Sequence, residues 1–584
     1  MAQGSEILAI RPVSNRLPGP IEPKKHRRDR DNSTTGSLYN ALIHPVQGEK
    51  TITSTMIRVA EFQPFLNTIS VLQVLAAIFI GALTYRLIDA FFLSPLRSIP
   101  GPLLARLTTK RANVDTFSGK VTQTVDKDVA RYGDVYVYKP RAVCINHPDD
   151  IRAVLGSQEF RKAAFFDIFN DGNTPNIVSL REPELANRRR RQLGPFFNYA
   201  YLGRAEPLIL QHGYQAIRTK WDALIQANSG RPTEVNYRTD TQLVTFDIMS
   251  ALAFGRNFNA ISRGSSSIMK WAGLIMEMLE SPAVLALLSL LPFSLIMRPW
   301  KIMYRELAAF SSDAVDMRKQ LLAEDSTEKP LDMLQAFIDA EDPESKIKMS
   351  PHEVQAESIM MMLAGSETTS SAIMWTFHLL LLYPETLRRA VHEVRSAFSL
   401  NHLVTYKDVR SSLPYVEACV YEALRHSPTT AGLTPRISHS TGITLQGYYI
   451  PPGTEIYVNL RSPSMHPSLW DDPARFNPDR FLDSDNNKRL LFTFSYGPRN
   501  CLGRNLAWVE MLTIVANVLK DYDIALTEDS LFGPHCTDEN GLPVLMPAKC
   551  FIASFPAKPE RDCRMVITRR MAGVKACARE YSPC

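Results

Sequence analysis

The sequence predicts a mainly helical chain with a small β region, headed by a single membrane-spanning helix. Three observations predict it. Phe62 to Tyr85 carries no charge over 24 residues; an apolar helical pattern runs from Ser350 to Leu382 without a breaker; and Cys501 sits in a Gly/Pro turn at the mouth of a second apolar helix. A soft prior of about 150 residues per domain suggests several domains for 584 residues. Yet the motifs run from Phe197 to Gly503 with no linker, so the chain reads as one large domain with appendages. Its parts are a basic leader (1–61), the span (62–85), a proline-rich hinge (86–102), the large domain (103–557) and a basic tail (558–584).

Composition is that of a globular protein, 45% hydrophobic and 22% charged. The net charge of +6 lies in the ends: residues 1–60 and 558–584 each carry +4, which leaves the body at −2 and excludes a basic nucleic-acid-binding face. The eight cysteines (Cys144, Cys419, Cys501, Cys536, Cys550, Cys563, Cys577 and Cys584) include no Cys-x-x-Cys pair, so their spacing signals neither a disulfide framework nor a zinc site.

From the front, the leader places Lys24-Lys-His-Arg-Arg28 among Pro, Ser, Asn and Gly, a composition too polar to order itself. The uncharged run is long enough to cross a bilayer core of about 30 Å, which needs roughly 20 residues. It also lies too far from Met1 to be a signal peptide. Two basic residues flank each side, Lys50 and Arg58 against Arg86 and Arg97, so charge does not set its direction. Pro95, Pro100, Gly101 and Pro102 stiffen the connector, and a second apolar stretch, 281–297, broken by Pro292, suits an interfacial or channel-covering segment.

The long helix opens with a capping box, Ser350 and Glu353, with Pro351 at its first position. At 1.5 Å per residue it spans roughly 48 Å. Its middle reads Ala364-Gly365-Ser366-Glu367-Thr368-Thr369, polar groups that are costly in such a run unless used. Glu422 and Arg425 share one face of the helical stretch Pro414 to His426 and can pair. Gly497 and Pro498 then force the turn before Cys501, and the helical run from Leu502 to Val518 puts that cysteine at a helix N-terminus, where free N–H groups and the helix dipole favour a thiolate. Asn540-Gly541 between short apolar runs is a hairpin signal.

Phe494-Ser-Tyr-Gly-Pro-Arg499-Asn-Cys501-Leu-Gly503, preceded in order by the Ala364–Thr369 segment, Glu422-x-x-Arg425 and Phe476-Asn-Pro-Asp-Arg480-Phe481, resembles the motif set of the cytochrome P450 family. The resemblance covers about Pro95 to Pro556 and implies the P450 fold over 103–557, mainly α with a small β region, with haem b between the long helix and the Cys501 loop. It implies Cys501 as the proximal thiolate ligand of the iron, with Phe494 covering the sulfur and Gly503 leaving room for the flat macrocycle. Arg499, Arg436 and Arg190 would meet the haem propionates. Ala186 stands where many members have tryptophan, so Arg188, Arg189 and Arg191 compete with Arg190 for that role. Ala364 and Gly365 would make room for dioxygen, Thr368 would hydrogen-bond it, and Glu367 would relay protons. Glu422, Arg425 and Arg480 would form a buried charge network.

The implied reaction inserts one oxygen atom from O2 into an apolar organic substrate, as in fungal biosynthetic members. No dinucleotide fingerprint is present in a strand-turn-helix context, so electrons come from outside. By resemblance the donor is a membrane-bound NADPH-cytochrome P450 reductase, with cytochrome b5 as a second donor. The resemblance also places the chain in the endoplasmic reticulum membrane, single-pass with a cytosolic body, so that Asn32 in Asn32-Ser-Thr34 becomes a luminal glycosylation acceptor. The expected pocket walls are Phe165, Phe166, Phe169, Ala364, Thr430, Ala431, Leu433 and Leu542, the last at a hairpin tip aimed at the substrate. Of two rival readings, a reductase-independent haem-thiolate isomerase or dehydratase leaves Glu367 and Thr368 without a task, and a haem sensor or carrier leaves the substrate-pocket elements without one.

Overall fold

The computed structural model describes residues 68–264, 309, 311–321, 330–551 and 553–570. The leader with its Lys24–Arg28 cluster and Asn32, the apolar stretch 281–297 and residues 571–584 lie outside the described residues. By its internal contacts the chain divides into residues 1–78 and 79–584. Of the first part, residues 68–78 are the opening turns of α1 (Thr68–Ile88). This helix exposes Val74, Leu75, Ile78, Phe79, Ile80 and Leu83, and with the turn Asp89–Leu93 it is long and apolar enough to cross a membrane. The helical segment thus runs beyond the expected end at Tyr85: Arg86 is exposed and Asp89 half-exposed, so neither demands a partner, and the chain breaks only at Ser94-Pro95.

In the second part, the helices that matter for the site are α2 (Leu103–Leu107), α3 (Pro148–Gly156), α4 (Pro183–Leu193), α5 (Tyr237–Phe254), α6 (Pro351–Leu382), α7 (Pro414–His426) and α8 (Arg504–Asp521). The predicted cap of α6 forms: Glu353 N–H donates to Ser350 Oγ at 3.3 Å and Ser350 N–H to Glu353 Oε2 at 2.8 Å. From Val354 onward α6 is buried on nearly every side, as its all-round apolar sequence requires, with α5, α7 and α8 packed against it.

The strands are β1 (Val135–Lys139), β2 (Ala142–Ile145), β3 (Thr233–Asn236), β4 (Leu433–Ile437), β5 (Ile443–Leu445), β6 (Tyr448–Ile450), β7 (Glu455–Asn459), β8 (Tyr522–Leu526), β9 (Ala548–Cys550), β10 (Ser554–Pro556) and β11 (Arg564–Arg569). They form one four-stranded sheet in the order β1-β2-β7-β4, a three-stranded sheet β3-β11-β8, and the hairpins β5-β6 and β9-β10.

Two expectations are corrected here. The domain does not end at 557. β11, from the presumed tail, is the central strand of its sheet, pairing Met565 with Val235 and with Leu526. The alternation that buries Met565 and Ile567 is the signal, masked by the arginines around it. Nor does Asn540-Gly541 point at the interior. It is an exposed turn closed by Gly541 N–H to the Asp538 carbonyl at 3.0 Å, with its flanks joined by Asp538 N–H to the Leu542 carbonyl at 2.8 Å and Val544 N–H to the Cys536 carbonyl at 2.7 Å. The hairpin that reaches α6 is β9-β10: Ser371 Oγ donates to the Ser554 carbonyl at 2.6 Å, and Ser554 N–H to the Thr429 carbonyl at 2.7 Å.

Deleting β11 removes the buried Met565 and Ile567 and leaves β3 and β8 unpaired, at a cost of about 3 to 6 kcal/mol from the two side chains alone. Extracted in detergent, a chain ending at Ala557 is expected to aggregate, whereas one ending at Arg570 stays in solution with a cooperative thermal transition. Equal soluble yields and melting temperatures would show β11 to be dispensable.

Candidate active site

The loop before α8 is built by backbone geometry. Ser495 and Gly497 both take positive φ, 61° and 70°. A Cβ on Gly497 would lie 2.2 Å from the Leu155 carbonyl of α3, so this position admits only glycine. Cys501 N–H then donates to the Phe494 carbonyl at 2.8 Å and closes the loop. α8 starts at Arg504, two residues later than its sequence suggests, which leaves the N–H groups of Gly503 and Arg504 free to face the Cys501 sulfur. Burial pushes the Cys501 thiol up, while those two N–H groups and the Arg190 and Arg504 guanidiniums pull it down. The side chain is nonetheless open on one side. A Cβ on Gly503 would project to within 4.0 Å of the sulfur and of Phe197, so the missing side chain keeps that space clear. The Phe494 ring packs 6.2 Å from Trp508 beneath the loop.

The four consecutive arginines of α4 separate by partner. Arg189, buried, is paired with Glu353 and Glu357 of α6. Arg191 pairs with Asp342 at 2.7 Å and Glu344 at 3.2 Å, and Arg188 is half-exposed. Arg190 alone turns to the cysteine loop, donating to the Asn500 carbonyl at 2.8 Å and to Asn500 Oδ1 at 2.5 Å.

Beside it lie three more cations held by carbonyls. Arg499 donates to the carbonyls of Leu180 and Arg181, and Arg436 to that of Pro435. Lys162, which sequence reasoning did not single out, donates to the Val178 carbonyl at 2.6 Å with its ammonium 5.0 Å from the Phe166 ring. The segment carrying Lys162 pairs with β4 through Ile437 N–H to the Arg161 carbonyl, which sets Lys162 opposite Arg436. Among the described residues none of these four cations has a carboxylate in ion-pair range. Burial and mutual repulsion bring Arg436 down to about 10 and Lys162 well below its usual value.

On α6, Ala364 is exposed although Met362 and Ser366 beside it are buried, so the helix borders accessible space there. A Cβ on Gly365 would meet Met249 of α5, so its missing side chain admits that methionine. Thr368 Oγ1 donates to the Ala364 carbonyl at 2.7 Å and keeps its lone pairs free. The Glu367 carboxylate is held from α5 by Arg238 and by Gln242 Nε2 at 2.8 Å, while Arg238 also reaches Ser370 Oγ at 2.9 Å. No local pattern marks Arg238 or Lys162, because both act across long-range contacts.

On α7, Glu422 and Arg425 are fully buried and paired by bonds of 2.6 and 2.7 Å. Arg425 also donates to the carbonyls of Ser464 and Pro473 at 2.8 Å, Asn477 N–H donates to Glu422 at 2.8 Å, and Arg480 stands 3.4 Å from the same carboxylate. Arg480 in turn bonds the carbonyls of Asp471 and Asp472. This network ties the 464–480 segment to α7 ahead of the cysteine loop.

Residues 105–551 match the family model for Cytochrome P450. The chain belongs to the cytochrome P450 family. It is 50% identical over 491 residues to cytochrome P450 monooxygenase helB2 of Aspergillus fumigatus, covering 83% of this chain and 96% of that one. It is 44% identical to helB3 of the same fungus, covering 86% and 99%. A cytochrome P450 crystal structure (CYP102L1) shares the fold with a TM-score of 0.62 at 19% identity, covering 77% of this chain and 94% of its own. The protein is thus a cytochrome P450 monooxygenase, an oxidoreductase whose family implies haem held through a thiolate.

The residues present fit such a group. Two buried cations, Lys162 and Arg436, and two half-buried ones, Arg190 and Arg499, all with only carbonyl-oxygen partners, form an unfavourable cluster that a dianion relieves, and a thiol open on one side lies next to them.

Removing one member of the Glu422 network strands a fully buried charge, at a cost of about 3 to 5 kcal/mol. Glu422→Ala and Arg425→Ala are therefore expected as haem-poor or aggregated protein, read by the haem-to-protein absorbance ratio. Normal loading and stability in both would contradict the network's structural role.

Proposed function

We propose that this P450 is a membrane-anchored haem-thiolate monooxygenase in which Cys501 supplies the thiolate, acting on an apolar organic substrate with electrons from an external NADPH-dependent reductase. The observation that carries this reading is the meeting, at one loop, of an open sulfur under two N–H groups and four cations without carboxylate partners. Haem, when bound, supplies the one-electron and O2 chemistry. Lys162, Arg190, Arg436 and Arg499 hold its two propionates, and the N–H groups of Gly503 and Arg504 stabilise negative charge on sulfur. Ala364 leaves space on the opposite wall.

Proton supply falls to two residues of α6. The Thr368 hydroxyl, fixed by the Ala364 carbonyl, presents its oxygen toward the space that Ala364 borders, and Glu367 carries protons inward from the side where Arg238 and Gln242 hold it. Phe165, Phe166 and Phe169 form an aromatic cluster with ring centroids 5.6 to 6.4 Å apart, an apolar wall suited to excluding water. The exposed apolar α1 supports a membrane anchor, and the family resemblance supports the endoplasmic reticulum with the body in the cytosol, where the reductase and cytochrome b5 are at hand. The fungal relatives support a role in biosynthesis.

Cys501→His is expected to lose the long-wavelength band of the reduced carbon monoxide complex together with activity, whereas Cys536→Ser, at an exposed cysteine, keeps both. An unchanged spectrum in Cys501→His rules out this thiolate.

Thr368→Ala removes one hydroxyl with little change of shape. NADPH consumption is expected to continue while oxygenated product falls and peroxide rises, by roughly tenfold or more in the product-to-peroxide ratio. Unaltered coupling would reduce Thr368 to a packing residue.

A further inference from the structure

The end of α1 carries a second cluster of cations. Tyr85, Arg86, Asp89, Ala90 and Ser94, together with Arg106 of α2 and the Pro140-Arg141 turn between β1 and β2, line a cleft of about 430 Å³. Arg86 and Asp89 are one helical turn apart and share a face of the helix. Arg106 is fixed by the carbonyls of Leu96 (3.3 Å) and Ile99, which pins the hinge to α2 and still leaves the guanidinium without a counter-ion. Arg141 is held at the turn with φ of 59°, its side chain exposed. Among the described residues neither Asp89 nor any of the three arginines takes part in an ion pair, so the cleft holds three positive charges against one negative.

Position decides what neutralises it. The cleft lies where the apolar run of α1 gives way to polar chain, the depth at which a bilayer carries its phosphates, and Tyr85 stands at that level as interfacial aromatics do. Phe92 and Leu93 on one side and Leu103 and Leu104 on the other are exposed, apolar side chains suited to the acyl boundary. Guanidiniums match phosphate oxygens bidentately, and the lone carboxylate can accept from a headgroup ammonium.

We propose that this cleft binds the phosphate headgroup of an anionic membrane phospholipid, with Arg86, Arg106 and Arg141 as the phosphate donors. The lipid fixes the connector between anchor and body at a set height over the bilayer. This inference rests on α1 spanning the membrane. A basic residue near an anionic surface contributes on the order of a fivefold change in binding.

The test uses the full-length haem-loaded protein reconstituted in vesicles of phosphatidylcholine with phosphatidylserine, then extracted in a neutral detergent, with co-purifying phospholipid measured by mass spectrometry. The expected result is retention of phosphatidylserine over phosphatidylcholine, reduced about fivefold in Arg86→Gln and in Arg141→Gln, with haem content and carbonate-resistant pelleting unchanged. Equal retention in wild type and both variants overturns the site. Displacement of the retained lipid by inorganic phosphate in excess assigns the cleft to free anions and also overturns it. Release of wild type from vesicles by carbonate overturns the anchor reading and the inference with it, an outcome distinct from loss of lipid preference in protein that stays membrane-bound.

Discussion

Positive charge with no carboxylate in ion-pair range is the constraint on which the site depends. Lys162, Arg190, Arg436 and Arg499 arrive from four different segments, and each is satisfied only by carbonyl or amide oxygens. For the two that are buried, Lys162 and Arg436, such an arrangement costs several kcal/mol per ion unless something anionic completes it. Elsewhere in the same protein buried arginines are matched by carboxylates: Arg189 by Glu353 and Glu357, Arg318 by Asp332, and Arg425 by Glu422. The contrast separates cations paired with carboxylates within the fold from cations that have none.

The surrounding architecture keeps the cluster and the thiol in register. α6 supplies the carboxylates that lock Arg189 of α4, which leaves Arg190, the next residue, aimed at Asn500. The Glu422–Arg425 pair fixes the 464–480 segment, and Gly497 lets the following loop lie against α3. Glu367 of α6 is bound to α5 by Arg238 and Gln242, and the closeness of those two helices depends on Gly365 accepting Met249. Gly365 therefore sets the spacing of the two helices.

What was legible in the sequence was local. The capping box of α6, the Gly/Pro turn before Cys501 and the i, i+3 spacing of Glu422 and Arg425 each announce themselves within a few residues, and the structure has these elements. Four consecutive arginines give one undifferentiated local signal, and only carboxylates 151 to 168 residues away tell them apart. Lys162 escaped notice because its place opposite Arg436 is a pairing over 274 positions of chain. β11 was read as tail because flanking arginines outweighed its alternation, and the hairpin signal at Asn540-Gly541 named a real turn that faces outward.

The most direct test of the central claim compares two ligands on the protein freed of haem: haem itself and its dimethyl ester, which lacks both propionate charges. If the four cations are built for that dianion, the ester binds at least tenfold more weakly, a difference of about 1.4 kcal/mol or more. Equal affinity for haem and its ester would contradict the account.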